Sequence, residues 1–178
     1  PDMRDVLLVA SRSENVEQRV AAVNASGLVA KLVDVEAFAL ENACKLLTHQ
    51  MPDGGIDRTI AVVDFGASTT TFSVLKTLVV VYTRDFAFGG QQLTEEIMRT
   101  YGLSMEEAGR AKKEGGLPSN YQPEVLDPFI DDMTQQVSRS LQFYLASGSG
   151  RSQPEQILIC GGCANIPGVA DVIASRVG

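Results

Sequence analysis

The first part of the chain alternates short apolar runs with helically spaced apolar positions. Residues 6–10 form an apolar run bounded by polar residues, which predicts a buried strand. A Ser11-x-x-Glu14 pair then fits a capping box, and valines at helical spacing continue up to Gly27, a residue type that favours a helix end. The pattern therefore predicts a strand followed by a capped helix.

A second strand and a second helix are predicted before the first break in the pattern. Residues 32–35 are mostly apolar and predict the strand, and apolar positions over residues 38–47 predict the helix. The next stretch is polar and contains Pro52, Gly54 and Gly55, which are residues that interrupt regular structure. We expect a domain boundary in this stretch.

The middle of the chain has the pattern of a small antiparallel sheet. Residues 58–64, 70–75 and 78–84 are rich in β-branched and apolar residues, and only short polar breaks separate them. Such short connections join neighbouring antiparallel strands. The pattern predicts a meander of three strands.

The last part of the chain predicts three helices, a strand and a closing helix. Gly102 ends the first helix, and Ser104-x-x-Glu107 fits a second capping box. The third helix is the longest, and its apolar residues step along one face, which is typical of core packing. The helices are predicted over residues 90–101, 104–113, 123–147 and 169–177, with the strand at 156–160.

Composition removes several classes of function. The 178 residues carry 15 Lys plus Arg against 22 Asp plus Glu, a net charge of −7 that disfavours nucleic acid and anionic membranes. No apolar run approaches the ~20 residues of a membrane-spanning helix. Three cysteines without an apolar leader indicate a reducing cytoplasm, and a single histidine makes histidine catalysis or a zinc site a poor expectation.

The segment from Asp64 to Thr71 is the first candidate for chemistry. A carboxylate at a strand end, followed by a turn of Gly, Ser and Thr, can hold a hydrated cation and a phosphate group. Asp64 would face the cation, Gly66 would let backbone N–H groups approach the anion, and Ser68 and Thr69 would donate hydroxyl hydrogen bonds. The alternative is a plain hairpin turn, since Asp and Gly favour turns in general.

The second candidate is Cys160-Gly161-Gly162-Cys163. Its C-x-x-C spacing occurs in dithiol redox and zinc proteins, although the chain has only one further cysteine. Cys160 is predicted at a strand end, whereas a thioredoxin-like dithiol opens a helix directly. The interpretation we favour is that Gly161 and Gly162 let a flat ligand lie against bare backbone.

Charged residues at two predicted helices are further candidates. Glu107, Lys112 and Lys113 lie on one short helix, and Glu36 lies where a strand gives way to a helix. A solvated charged face explains the first group equally well, and a favourable interaction with the helix dipole explains Glu36. These residues gain weight only together with the other motifs.

The order of these motifs resembles the actin, Hsp70 and sugar-kinase ATPase superfamily. Within it, residues 33–43, 115–118 and 137–143 resemble the PilM family of type IV pilus assembly proteins, which is related to the cell-division protein FtsA. The resemblance covers nearly the whole chain. It implies an α/β protein with a partial actin-like, ribonuclease H-like ATPase fold, in which mixed sheets are flanked by helices.

The resemblance also implies roles for the phosphate-loop residues. The segment from Asp64 to Thr69 matches the second phosphate loop of the superfamily. Gly66, Ser68 and Thr69 would contact the phosphates of ATP, and Asp64 would hold a water of the Mg²⁺ ion.

The remaining site residues follow from the same resemblance. Gly161 and Gly162 match the adenosine motif, and Lys112 with Glu107 matches the helix that brackets base and ribose. Glu36 falls where the superfamily places the residue that orients the attacking water, which would make it the general base of any hydrolysis.

The resemblance finally implies a domain division and a partner. Residues 1–56 would be the end of an inserted small subdomain with a connecting helix of the first lobe, and residues 57–178 the second lobe. Because the first phosphate loop of the superfamily lies outside this sequence, we expect an incomplete ATP site. The family docks the N-terminal tail of a PilN-like inner-membrane protein, among other pilus components, and lies peripherally on the cytoplasmic face. A slow ATPase or a nucleotide-binding scaffold is expected, and the alternatives are a sugar or acid kinase and a dithiol redox protein.

Overall fold

A computed structural model describes residues 8–148 and 152–177. The chain divides into two compact units, residues 1–39 and residues 40–178. This division lies near the start of a helix that the sequence predicts. The domain boundary predicted after residue 56 therefore stays a prediction about the lobes of the fold.

The first unit contains helix α1, Ser13–Ala25, as the spacing of its valines predicts. Gly27 follows with a φ of +81°, which confirms its predicted role at the helix end. The predicted capping box is wrong, because Arg12 is the N-cap residue and no side chain caps the helix. Glu14 is consequently the second helical residue, and a capping box requires its acid at the third.

Two strands predicted in the first unit do not form among its described residues. Val6 and Leu7 lie outside the described residues, and residues 8–10 and 32–35 are irregular. Their apolar side chains are largely exposed, for example Leu8 at 86% and Leu32 at 80%. A strand needs a neighbour for its backbone hydrogen bonds, and the sheet of the described residues does not include these segments.

Helix α2, Glu36–Leu46, agrees with the predicted second helix. Its residues 40–46 belong to the second unit. Two short 3₁₀ turns, Thr48–Gln50 and Pro52–Gly55, connect it to the sheet.

The second unit is built on a sheet of four strands in the order β3-β2-β1-β4. The first three strands form the predicted antiparallel meander, and β4 runs parallel to β1. The mixed sheet confirms the expected α/β class. The strands are β1 Thr59–Phe65, β2 Thr70–Lys76, β3 Val79–Phe86 and β4 Gln156–Gly161.

Helices occupy the positions that the apolar periodicity predicts. Gly102 ends α3 in the left-handed conformation, and Ser104 and Glu107 form the predicted capping box of α4. Among the described residues, no helix has the length and apolar character needed to cross a bilayer. The helices are α3 Gly90–Tyr101, α4 Met105–Glu114, α5 Asp127–Ala146 after a π-helical turn Gln122–Leu126, and α6 Val169–Val177.

The sheet buries an apolar layer on each face. Alternate side chains point to opposite faces, so Val63 and Phe65 join the larger layer beneath α3, α5 and α6, while Ile60 and Val62 join a smaller layer with Cys44 of α2. A sheet covered on both faces is expected to be rigid. Its strand ends can therefore hold loops in fixed positions.

Candidate functional site

The carboxyl ends of β1 and β4 lie side by side. In the parallel register, Asp64 is opposite Cys160 and Phe65 is opposite Gly161. The Gly66 to Thr69 turn follows β1, and the pair Gly161-Gly162 stands at the end of β4. The pairing thus brings together the two motifs that the sequence analysis singled out separately, and crevices at such strand ends commonly bind ligands.

The turn after β1 is tight and leaves its hydroxyl groups open. The Gly66 N–H donates to the Thr69 carbonyl at 3.1 Å, and a Cβ at Gly66 would lie 2.6 Å from that oxygen. Only glycine fits there. Ser68 and Thr69 are exposed, so their hydroxyl groups are accessible to a ligand.

The start of α3 is fastened to this turn. The N–H groups of Gly90 and Gln91 donate to the carbonyls of Gly66 and Ala67 at 3.0 and 2.7 Å. A Cβ at Gly89 would lie 2.5 Å from the Ala67 oxygen, so the close approach requires glycine. The Gly89-Gly90 pair at the start of α3 is therefore part of the site's framework.

Gly161, the last residue of β4, and Gly162, which follows it, differ in what surrounds them. Gly161 has a φ of +82°, and a Cβ there would collide with Asp64 Oδ1 and the Phe65 carbonyl. Gly162 has no atom within 4 Å of its Cβ position. Gly161 is therefore required for the approach of β4 to β1, while Gly162 presents bare backbone to open space.

A cavity of about 1000 Å³ opens beside these strand ends, within the second unit. Its size is that of a pocket for a drug-sized or larger ligand. Three of the predicted site residues, Gly66, Lys112 and Gly162, line it. The other lining residues are Ala67, Gly90, Gln91, Leu93, Thr94, Met105, Lys113, Tyr121, Leu126, Cys163, Asn165, Ile166 and Pro167.

The ammonium group of Lys112 is held at the cavity wall. It donates to the Gly90 carbonyl at 2.8 Å and to Thr94 Oγ1 at 2.6 Å. Partial burial lowers the pKa of Lys112, and the neighbouring Cys163 opposes that shift. A cation in a partly desolvated cavity is a suitable partner for an anionic or polar ligand.

Glu107 lies on the same helix as Lys112 but does not border the larger cavity. Its carboxylate accepts hydrogen bonds from the Ser104 N–H at 2.8 Å and the Ser104 hydroxyl at 2.6 Å, and these bonds lower its pKa. It borders a separate cavity of about 490 Å³ beside Tyr101 and Leu103. The structure does not bring Glu107 together with Lys112 in the larger cavity, so a nucleotide contact by Glu107 stays a prediction.

Asp64 is half-buried at the end of β1, on the sheet face that carries Ile60 and Val62. It does not line the cavity. Across the described ranges 8–148 and 152–177, no three Asp, Glu, His or Cys side chains gather into a metal-binding group. A single carboxylate nevertheless fits Mg²⁺, which keeps most of its waters and takes its other ligands from phosphate.

Glu36 is the first residue of α2 and is exposed. It belongs to the first unit, whereas the cavity lies in the second. Its assignment as the general base stays a prediction.

The cysteine pair does not have the features of a redox dithiol. Cys160 packs with the smaller apolar layer and Cys163 with the larger one, on opposite faces of the sheet. Burial, together with Asp64 and Cys44, raises the pKa of Cys160 to about 11. A reactive thiol requires the opposite shift, so this geometry disfavours the redox alternative.

Several residues that line the cavity were missed by the sequence analysis. Thr94 lies one turn into α3, and Tyr121 precedes the π-helical turn. Asn165, Ile166 and Pro167 follow the glycine pair. Thr94 could have been proposed as a site residue, because it stands four residues after Gly90 on the side of α3 that meets the phosphate-loop candidate. Tyr121 has no feature in the sequence that points to the site.

A comparison with protein families gives one match over the whole sequence. The sequence model of the family described as Type IV pilus assembly protein PilM matches residues 1–178.

Comparison with solved structures finds proteins that share one fold with this chain. A structure titled PilM-PilN type IV pilus biogenesis complex matches with a TM-score of 0.76 and 26% identity over 94% of this chain and 46% of that one. MreB5 of Spiroplasma citri bound to ADP matches with a TM-score of 0.60, at 19% identity over 90% of this chain and 57% of that one. The ethanolamine utilization protein EutJ from Carboxydothermus hydrogenoformans matches with a TM-score of 0.54, at 23% identity over 76% of this chain and 46% of that one. These matches confirm the actin-like fold, and the chain spans about half the length of these relatives.

Proposed function

The chain belongs to the PilM family of type IV pilus assembly proteins, and from this premise we propose that it forms part of a cytoplasmic, ATP-binding adaptor of the pilus inner-membrane assembly complex. The observation that carries the proposal is the cavity of about 1000 Å³ bordered by Gly66, Gly162 and Lys112. Glycine backbone on two sides and a lysine on the third suit a ligand with a flat base and a charged tail.

The phosphates of ATP would lie at the turn after β1. The exposed hydroxyl groups of Ser68 and Thr69 offer donors to anionic oxygens, while the Gly66 N–H is bonded to the Thr69 carbonyl and holds the turn closed. Asp64 would hold Mg²⁺ through a water molecule. The adenosine would lie on Gly161 and Gly162, with the Lys112 ammonium beside it. The MreB5 structure bound to ADP supports a nucleotide as the ligand class.

We propose that ATP acts mainly as a conformational ligand. A ligand shifts an equilibrium only through its different affinities for the two states, so ATP must bind the closed lobes more tightly than the open ones. Turnover is expected to be slow or absent. If hydrolysis occurs, Glu36 is the proposed general base, and Glu36→Gln should then abolish phosphate release without preventing nucleotide binding.

The proposed partner is the N-terminal tail of a PilN-like inner-membrane protein. The similar structure whose title names a PilM-PilN complex supports this partner. Coupling between the sites would require that nucleotide and peptide favour the same lobe arrangement, and each would then raise the affinity for the other by the same factor.

The test is a titration of the full-length protein with Mg-ATP, with and without the PilN-like peptide. We compare the wild type with Asp64→Asn and use Asp85→Asn as a matched control, because Asp85 lies on the edge strand β3 and accepts a hydrogen bond from Thr71 of β2. Asp64→Asn should weaken Mg-ATP binding about tenfold or more, and Asp85→Asn should leave it unchanged.

Metal removal sharpens this test. In excess EDTA the affinities of the wild type and Asp64→Asn should converge, since the carboxylate would act through the ion. Absence of Mg-ATP binding by the wild type would refute the proposal. Rapid phosphate transfer to an added sugar or acid would instead indicate a kinase, which the family match and these structural relatives do not favour.

A further inference from the structure

Lys112, Thr94 and the Gly90 carbonyl form a closed network of hydrogen bonds. The Lys112 ammonium donates to the Gly90 carbonyl at 2.8 Å and to Thr94 Oγ1 at 2.6 Å, and the Thr94 hydroxyl donates to the same carbonyl at 3.2 Å. Thr94 is only 5% exposed, although it borders the cavity. The network links α4 to the first turn of α3.

This network reaches the phosphate-loop candidate through a single residue, Gly90. The Gly90 N–H donates to the Gly66 carbonyl at 3.0 Å, while its own carbonyl accepts from Lys112. The adenosine side and the phosphate side of the cavity are therefore joined through Gly90. A displacement of Lys112 would therefore affect the positions of groups on both sides of the cavity.

A lysine side chain is a flexible stem of four carbons that ends in three N–H donors, so it does not hold one orientation by itself. At the cavity wall, burial already disfavours the ammonium and lowers its pKa, and Cys163 and Lys113 are the titratable groups that also influence it. Each acceptor that faces the ammonium therefore matters more than it would in water. Thr94 Oγ1 supplies one such acceptor, on a helix that the core holds in place.

We propose that Thr94 is a positioning residue, which fixes the Lys112 ammonium at the cavity wall in the orientation that a bound nucleotide requires. This inference rests on the proposed nucleotide site and adds to it the residue that organises its cation. Thr94 would act through Lys112 and not by direct contact with the ligand.

The chain offers a matched control in Thr134. It is 3% exposed, lies inside α5 and donates to the Ile130 carbonyl four residues earlier at 2.9 Å, just as Thr94 donates to Gly90. Thr134 does not line the cavity. Loss of its hydroxyl reports the cost of removing a buried threonine hydrogen bond alone.

The experiment measures Mg-ATP affinity in the full-length protein for Thr94→Val, Thr94→Ser and Thr134→Val. Thr94→Val should weaken binding about tenfold, because it removes an acceptor of a charged group. Thr94→Ser should restore most of the affinity, and Thr134→Val should leave it unchanged while lowering the melting temperature about as much as Thr94→Val does.

A double-mutant cycle with Lys112→Met identifies the route of the effect. Thr94→Val should cause no further loss of affinity once Lys112 is methionine. An equal loss in both backgrounds would overturn the inference, as would wild-type affinity in Thr94→Val or in Lys112→Met. In those three cases the proposed nucleotide site survives if the wild type binds Mg-ATP, whereas a wild type that does not bind refutes both.

Discussion

The two ends of the same strands, β1 and β4, are organised in opposite ways. At their amino ends, side chains close the sheet: Arg58 donates to Glu155 at 2.5 Å and pairs with Asp53, and Thr59 and Ser152 share a hydrogen bond at 3.1 Å. At their carboxyl ends, glycines stand where side chains would fill the space, and a cavity of about 1000 Å³ opens. At the amino ends the polar side chains bond to one another, whereas at the carboxyl ends the exposed hydroxyl groups of Ser68 and Thr69 stay accessible to a ligand.

This difference separates polar residues that hold the fold from those that can bind a ligand. The charged groups at the amino end have partners from the chain itself, and exposed ion pairs of this kind contribute little to stability. At the carboxyl end, Gly66 and Gly161 sit where the chain's own atoms leave no room for a side chain, while Gly162 leaves its backbone open to a ligand. We therefore expect substitutions at the two ends to have distinct consequences.

The largest effect is expected from Gly161→Ala. Its Cβ would collide with the Phe65 carbonyl, and the φ of +82° is unfavourable for alanine. We expect a loss of about 2 kcal/mol or more in the free energy of unfolding, measured by denaturant titration, together with a loss of Mg-ATP binding. Gly162→Ala is the matched control, because its Cβ meets open space: it should fold normally and weaken binding only. Equal stability losses in both variants would contradict this account.

Lys112→Met should have the next largest effect, and mainly on binding. Methionine keeps most of the length of the side chain but removes the charge and the bonds to Gly90 and Thr94. We expect Mg-ATP affinity to fall about tenfold or more, while the melting temperature changes little, since burial of the ammonium is itself unfavourable. Calorimetric titration and thermal melting measure the two quantities. A destabilised protein with wild-type affinity would reverse the assignment.

Arg58→Met tests the amino end in the same manner. It removes one cation, as Lys112→Met does, but its partners Asp53 and Glu155 are exposed surface groups. We expect a small decrease in melting temperature that diminishes further at high salt, because surface ion pairs are screened. Mg-ATP affinity should be unchanged. A tenfold affinity loss here would show that binding is not confined to the carboxyl ends.

Glu107→Ala is likewise expected to have little effect on binding. This change breaks the reciprocal capping bonds with Ser104 at the start of α4, so the helix and the protein should lose a little stability. Affinity for Mg-ATP should stay near that of the wild type, because Glu107 does not border the larger cavity. An affinity loss like that of Lys112→Met would instead support the nucleotide contact predicted from the resemblance.

The sequence was sufficient to predict the elements whose residue pattern is determined by interactions between near neighbours in the chain. The periodic apolar face of α5, the meander β1 to β3 and the capping box at Ser104 and Glu107 were predicted because spacing and capping chemistry determine them. The strand over residues 32–35 was predicted wrongly, since an apolar run shows a tendency to pair but does not supply a neighbouring strand.

The site was predicted in its motifs but not in its assembly. Gly66, Lys112 and Gly162 line one cavity, and their contact with a nucleotide stays a prediction. Glu107 and Lys112 are five residues apart and therefore lie on different sides of α4. Which of the two faces the cavity depends on how α4 is rotated about its axis, with Ala108 as its buried residue. The role of Thr94 depends on a contact across 18 positions of sequence, and no local pattern records it.

The most direct test of the central claim compares hydrogen exchange at the two ends of the sheet. The full-length protein is measured with and without a Mg²⁺ complex of a non-hydrolysable ATP analogue. Exchange should slow at residues 66–69, 89–94 and 161–167, and it should stay unchanged at residues 50–59 and 152–156. Unchanged exchange at both ends, or slowing confined to the amino ends of the strands, would contradict the account.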